Sequence, residues 1–168
     1  MDRKHAFQPV VDERTRLLVL GSLPGEASLA ATQYYAHPQN AFWRLTGGAI
    51  GIDLASLPYE ARLVALKSAG VGLWDVITSA ERAGSLDAAI RRPAQADLTT
   101  LIATLPHLRA IAFNGKTAAR LGRRILGESP GLTLIDLPSS SPAFTLSPAL
   151  KAESWAVLGA VLSQGDPD

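Results

Sequence analysis

The chain has 168 residues, 47% hydrophobic and 18% charged, which fits one ordinary domain with enough apolar material for a sizeable core and excludes disordered and fibrous classes. Sixteen Lys and Arg against fifteen Asp and Glu leave a formal net charge of +1, so attraction for a polyanion must come from how charge is distributed. The absence of cysteine excludes disulfides, a thiolate nucleophile and thiolate-held zinc or iron–sulfur centres, and His5, His37 and His107 show no ligand spacing, so no metal and no cofactor are expected.

Taken in chain order, the amino-terminal residues lack the apolar stretch of a signal peptide, and no uninterrupted apolar run of about 18 residues follows. A cytoplasmic monomer without a membrane partner is expected. Four apolar, partly β-branched runs read as buried strands: Leu17 to Leu20, Val71 to Ile77, Ala110 to Phe113 and Leu132 to Leu137. Helical spacing lies between and after them, at Gln39 to Gly48, Tyr59 to Ala69, Ala96 to Leu105, Thr117 to Leu126 and Ala152 to Leu162. Strands alternating with helices predict an α/β fold, three layers with a central, mainly parallel four-stranded sheet. The whole chain, 1–168, reads as one domain with an ordered core from about 13 to 163; the first dozen residues and Gln164 to Asp168 read as loose ends.

Parallel sheets bind ligands beyond the carboxyl ends of their strands. Those ends carry Gly21-Ser22-Leu23-Pro24-Gly25, Asn114-Gly115-Lys116 and Pro138-Ser139-Ser140-Ser141-Pro142. Gly115-Lys116-Thr117 lacks the glycine five positions earlier that a phosphate-binding P-loop needs, since Ala110 stands there. Neither G-x-G-x-x-G nor G-x-S-x-G is present. The most unusual stretch is Tyr34-Tyr35-Ala36-His37-Pro38-Gln39-Asn40-Ala41-Phe42-Trp43. Phe42 and Trp43 read as core, whereas a loop aromatic followed by an amide at a helix start suits a planar ligand and a water, which singles out Tyr35 and Asn40.

On the G-S-L-P-G loop, the Y-Y-A-H-P-Q-N-A-F-W block, F-N-G-K and P-S-S-S-P-A, the chain resembles the hypoxanthine-DNA glycosylase branch of the uracil-DNA glycosylase superfamily from about Leu17 to Leu162. Mismatch-specific uracil glycosylases share the first two blocks, so a uracil or thymine mismatch enzyme is the nearest alternative, and a noncatalytic nucleic-acid-binding domain of the same fold is a second.

The resemblance implies a monofunctional DNA glycosylase whose partner is damaged DNA, with hypoxanthine as the chief substrate and uracil as a second. The nucleotide is flipped into a pocket, stacked and read by its edge. Tyr35 falls where relatives carry the stacking aromatic, and Asn114 matches the Asn that reads the base. Ser22, Leu23 and Pro24 of the first loop complete the base-binding set. Many relatives hold the attacking water with an Asp or Asn one residue before the proline, where this chain has Leu23; Asn40 then supplies the water-holding amide, with Glu26 in reserve. Leu137 replaces a His used by uracil-specific relatives. Gly25, Ser139, Ser140, Ser141 and Pro142 are expected to contact DNA phosphates, and Phe144 or Ala143 to enter the space left by the flipped base. None of Lys4, Lys67, Lys116 and Lys151 lies in the two diagnostic blocks, so no lyase step is expected. Arg109, Lys116, Arg120, Arg123 and Arg124 form a candidate backbone-binding patch.

Overall fold

All five residues of Leu17–Gly21 are buried, as a continuous apolar run requires of a strand covered on both faces. In chain order the elements are β1 (Arg3–His5), β2 (Leu17–Gly21), α1 (Glu26–Ala31), α2 (Phe42–Ile50), α3 (Tyr59–Ser68), β3 (Val71–Asp75), β4 (Ile77–Glu81) and β5 (Arg91–Gln95). They continue with α4 (Leu98–Ala103), β6 (Ala110–Asn114), α5 (Lys116–Leu126), β7 (Thr133–Leu137), α6 (Pro148–Trp155) and α7 (Val157–Ser163). This computed structural model describes residues 2–128 and 131–164, and the rest of the expected loose end, 165–168, lies outside them.

The central sheet has four strands in the order β3-β2-β6-β7, all parallel. Alternation along each strand divides the core between its two faces. Leu17, Val19, Ala110 and Ala112 pack with Phe42, Leu66, Trp155 and Leu158 from α2, α3, α6 and α7. Leu18, Leu20, Ile111 and Phe113 pack on the other face with Leu98, Ala118 and Leu121 from α4 and α5. At Gly122 of α5 an added Cβ would lie 2.3 Å from the Phe113 ring, so the missing side chain lets this helix lie flush on the sheet.

Three expectations are corrected here. The run Val71 to Ile77 is not one strand: it breaks at Val76, and its second part starts β4 in a separate three-stranded antiparallel sheet of order β1-β4-β5. Backbone bonding changes partner at Val76, whose N–H still donates to the Gly21 carbonyl of β2 while its own carbonyl accepts from the Ala96 N–H beside β5, both at 2.8 Å. The expected loose first dozen, of which Met1 lies outside the described residues, is also tied down. Arg3, Lys4 and His5 pair with Glu81, Ala80 and Ser79, and Val10 bonds reciprocally with Leu73 at 2.9 Å. The expected terminal helix Ala152 to Leu162 is instead two helices, α6 and α7.

Candidate active site

Parallel register brings Gly21 level with Asp75 at the carboxyl edge of the sheet, and Asn114 ends β6 one residue beyond the Leu20–Phe113 pair. Three neighbouring strands therefore end in a row, Asp75, Gly21 and Asn114. The middle position lacks a side chain, and a Cβ there would lie 2.6 Å from Asp75 Oδ1 and 3.0 Å from the Tyr35 hydroxyl. Tyr35 uses this space: its hydroxyl sits over Gly21 and accepts from Asn114 Nδ2 at 3.3 Å.

The loop before α2 holds Tyr35 from several sides. Its backbone is left-handed, with φ +53°, a conformation that costs a tyrosine about 1 kcal/mol and is sustained by the contacts around it. The Trp43 indole donates to the Tyr35 carbonyl at 3.2 Å, and the Ala36 N–H donates to Ser28 Oγ at 3.0 Å. The Tyr35 ring stacks on Phe42 with centroids 4.0 Å apart and an interplanar angle of 16°. Burial first, and then the neighbouring Asp75 carboxyl, push the phenol above its ordinary pKa range, so the hydroxyl stays protonated.

Asn40 immediately precedes this stack. Its Oδ1 accepts from the Phe42 N–H at 3.0 Å, a turn-type bond to the residue two ahead that ties the amide to the start of α2. The next residue, Ala41, donates its N–H to the Ser140 carbonyl at 3.0 Å. Ser140 closes the circuit, with its N–H donating to Asn114 Oδ1 and its Oγ accepting from Asn114 Nδ2, both at 2.9 Å. Tyr35, Asn40, Asn114 and Ser140 are thus one connected assembly drawn from two loops and the end of β6.

The late loop is built around this join. Ser139 Oγ accepts from the Ser141 N–H at 3.1 Å and Ser141 Oγ from the Ala143 N–H at 3.2 Å. Trp155 donates to the Pro138 carbonyl at 2.9 Å and the buried Lys151 ammonium to the Ser141 carbonyl at 3.0 Å. Pro142 and Phe144 are exposed at the tip, with the Lys151 ammonium 5.5 Å from the Phe144 ring centre. Ser140 departs from its expected surface role, because at 1% exposure both its donor and its hydroxyl face inward to Asn114.

In the first loop Leu23 is buried in the apolar cluster of Leu18 and Leu20, away from the expected base-binding role. Such a side chain packs into the core because burying its apolar surface against Leu18 and Leu20 removes it from water. The remaining first-loop residues are tied to the segment between β4 and β5. Ser22 Oγ donates to Asp87 Oδ1 at 2.6 Å, the Glu26 N–H to Ser85 Oγ at 2.8 Å, and the buried Arg82 guanidinium to the Pro24 carbonyl. Gly25 abuts Ser85, whose Oγ would lie 3.2 Å from an added Cβ.

The basic run separates in space. Lys116 opens α5 at the carboxyl end of the sheet, and the helix carries Arg123 and Arg124 to its last turn. Arg109 precedes β6 at the opposite end, where it donates to the Gln164 carbonyl. Arg123 forms an exposed pair with Asp136 at 3.0 Å. These five residues do not make one face around the site.

Sequence reading missed Asp75. It is 4% exposed, its Oδ2 has no hydrogen-bond partner, and its carboxyl is pushed up to about 7 by burial first and the Asp87 charge second, with Arg82 pulling the other way. The available signal was an acid inside an apolar run already read as buried. Among the described residues, no group of three or more His, Asp or Glu could hold a metal ion, and no helix is long and apolar enough to cross a membrane.

The sequence model described as the uracil DNA glycosylase superfamily matches residues 8–159. The chain belongs to that superfamily. It is 40% identical over 156 residues to a hypoxanthine DNA glycosylase of Methanosarcina barkeri (strain Fusaro / DSM 804), covering 92% of this chain and 96% of the relative. It is 43% identical over 140 residues to a hypoxanthine DNA glycosylase of Methanosarcina acetivorans, covering 83% of this chain and 87% of the relative. The solution NMR structure of a uracil-DNA-glycosylase-like protein from Methanosarcina acetivorans superposes with a TM-score of 0.86 at 38% identity, covering 97% of this chain and all of the other. In this chain Tyr35, Asp75 and Asn114 meet at the carboxyl ends of its parallel strands.

Proposed function

We propose that this chain is a monofunctional DNA glycosylase that hydrolyses the N-glycosidic bond of a deaminated base, chiefly hypoxanthine, in damaged DNA. The observation that carries the reading is the joining of a stacked aromatic, Tyr35 on Phe42, to a row of polar groups at the sheet edge through the Asn114–Tyr35 hydrogen bond. Stacking and edge recognition are the two demands of holding a flipped base. The match of 92% of the chain to a hypoxanthine DNA glycosylase supports the choice of base.

In this scheme Tyr35 stacks on the base. Asn40 offers the second lone pair of Oδ1 to the attacking water while the first stays on the Phe42 N–H, so the carbonyl is already oriented before substrate arrives. Its dipole favours the positive charge that develops at the sugar carbon. Asn114 fastens the late loop to β6, and a base edge that bonds to its amide exchanges with Ser140. Gly25, Ser139, Ser141, Pro142 and Phe144 form the DNA-facing rim, with the exposed Phe144 and Ala143 at the tip of the late loop beside the flipped-out position. Water is the nucleophile, and no covalent enzyme intermediate forms.

The experiment is single-turnover excision from duplexes that carry hypoxanthine, xanthine or uracil, read as abasic sites. The expected result is fastest release of hypoxanthine and, for Asn40→Ala, retained DNA binding with a rate lower by roughly 10²–10³, the cost of removing one preorganised stabilising group. Equal rates for wild type and a folded Asn40→Ala would overturn the assignment of Asn40. Faster release of uracil than of hypoxanthine would move the chain to the mismatch-uracil alternative.

A further inference from the structure

Hydrogen-bond accounting at the sheet edge leaves one polar group unspent. Both hydrogens of Asn114 Nδ2 are engaged, one by Ser140 Oγ at 2.9 Å and one by the Tyr35 hydroxyl at 3.3 Å, and its Oδ1 already accepts from Ser140. Asp75 is level with Gly21 on the next strand, buried, and its Oδ2 lacks any partner. An unpaired buried carboxyl is costly and is retained where something else requires it. The Tyr35 hydroxyl lies by Gly21 between Asp75 and Asn114, so a ring laid on Tyr35 turns its edge toward these same two groups.

On the glycosylase reading given above, we propose that the Asp75 carboxyl reads the lactam edge of the flipped base, one oxygen accepting from the N1–H of hypoxanthine and the other donating its proton to the C6 carbonyl. A lactam places a donor directly beside an acceptor. A carboxylic acid offers the complementary pair on two oxygens at matching spacing, giving two parallel hydrogen bonds. A carboxylate offers acceptors only and would set a negative oxygen against the C6 carbonyl. The acid form is therefore the competent one, and the surroundings favour it. Gly21 and the apolar residues of β2 bring no charge to it, Tyr34 and Tyr35 are held protonated by burial, and the segment after β4 brings the opposed charges of Asp87 and Arg82. The charged residues of α3, which packs on the same strand, are Glu60, Arg62 and Lys67, and none of them shifts this carboxyl. With the carboxyl pushed up to about 7, edge reading is complete in mildly acid solution and fades above neutrality.

The test has two arms. In the first, single-turnover excision of hypoxanthine is followed from about pH 5.5 to 8.5 for wild type, Asp75→Asn and Asp75→Ala. The wild-type rate is expected to fall by up to about tenfold per pH unit above neutrality, following loss of the acid form. Asp75→Asn carries a donor and an acceptor at every pH, so that limb disappears; Asp75→Ala loses at least about tenfold at pH 6, where an edge is left unpaired. In the second arm, free hypoxanthine and 1-methylhypoxanthine are bound to the uncleaved protein by fluorescence or calorimetry. Wild type is expected to prefer hypoxanthine by at least about tenfold, because the methyl group removes the N1–H donor, and Asp75→Ala is expected to show no preference. A flat wild-type profile, an unchanged limb in Asp75→Asn, or equal affinity for the two free bases would overturn the proposal. If no deaminated base is excised, the glycosylase reading fails on its own, and the binding arm still decides whether Asp75 reads a lactam edge.

Discussion

Asn114 is closed on Ser140 from both ends of its amide: Oδ1 accepts the Ser140 N–H and Nδ2 donates to the Ser140 hydroxyl, each at 2.9 Å. A side chain on β6 thereby fixes the backbone of a loop 26 residues later. Removing Asn114 leaves the buried Ser140 N–H without a partner, at about 1–3 kcal/mol, whereas Ser140→Ala keeps that N–H bond and loses only the hydroxyl contact, about 1 kcal/mol. Urea unfolding is expected to place Asn114→Ala clearly below Ser140→Ala in stability. The reverse order would mean that the loop is held elsewhere, with Trp155 on Pro138 the next tie in line.

Two substitutions at Tyr35 separate stacking from hydrogen bonding. Tyr35→Phe keeps the ring on Phe42 and gives up only the 3.3 Å bond from Asn114. Capture of hypoxanthine-containing DNA is expected to stay within a few-fold of wild type. Tyr35→Ala removes the platform and is expected to weaken capture by roughly 1–3 kcal/mol, with undamaged duplex binding little changed. Titrations of damaged and undamaged duplexes give both numbers, and equal losses on the two would make Tyr35 part of the scaffold.

Asp75 also governs how stability responds to pH. Its carboxyl is raised in the folded protein to about 7, against about 4 in an unfolded chain. Below about pH 4 both states are protonated. Between about 4 and 7 the folded protein keeps a proton that the unfolded chain has released, so stability falls by up to about 1.4 kcal/mol per pH unit, and above about 7 the loss levels off. Asp75→Asn removes this contribution. The variant is expected to gain on wild type between pH 5 and pH 8, and an unchanged difference between the two proteins would show that Asp75 ionises as freely folded as unfolded.

The salt dependence of DNA binding distinguishes the two ends of α5. Lys116 begins the helix at the strand ends where the candidate site lies, while Arg124 belongs to the last turn. Lys116→Ala is expected to reduce the slope of log K against log salt by about 1, the signature of one phosphate contact, and Arg124→Ala to leave it unchanged. A change on Arg124→Ala alone would put the DNA along the helix instead of across its start.

The legible parts of this fold are the ones whose burial is written locally. Leu17 to Leu20 and Ala110 to Phe113 are uninterrupted apolar runs, and both are fully buried parallel strands. β1 and β5 escaped because Arg3-Lys4-His5 and Arg91-Arg92-Pro93-Ala94-Gln95 are mostly polar and exposed, and only pairing with β4 makes them strands. The break at Val76 escaped because the residues on both sides of it stay buried, so no change in burial marks it. At the candidate site, Tyr35, Asn40 and Asn114 stood out by type and position, and the structure brings them together. Asp75 did not, since its isolation depends on Gly21 from a strand far off in sequence and on a tyrosine from another loop. Leu23 shows the opposite limit, because position within a motif says nothing about which way a loop side chain turns.

The small sheet bears on the order of assembly. Its first strand is made long before β4, and Arg3 meets Ser79 only across 76 residues of chain. Closing so long a loop carries an entropy cost that grows as the logarithm of its length, to be met before pairing returns anything. Until then β4 has a bare edge on the β1 side, a row of unpaired backbone groups open to another chain. Deleting β1 would make that transient state permanent, so aggregation during production, more than lost activity, is the hazard of removing this strand.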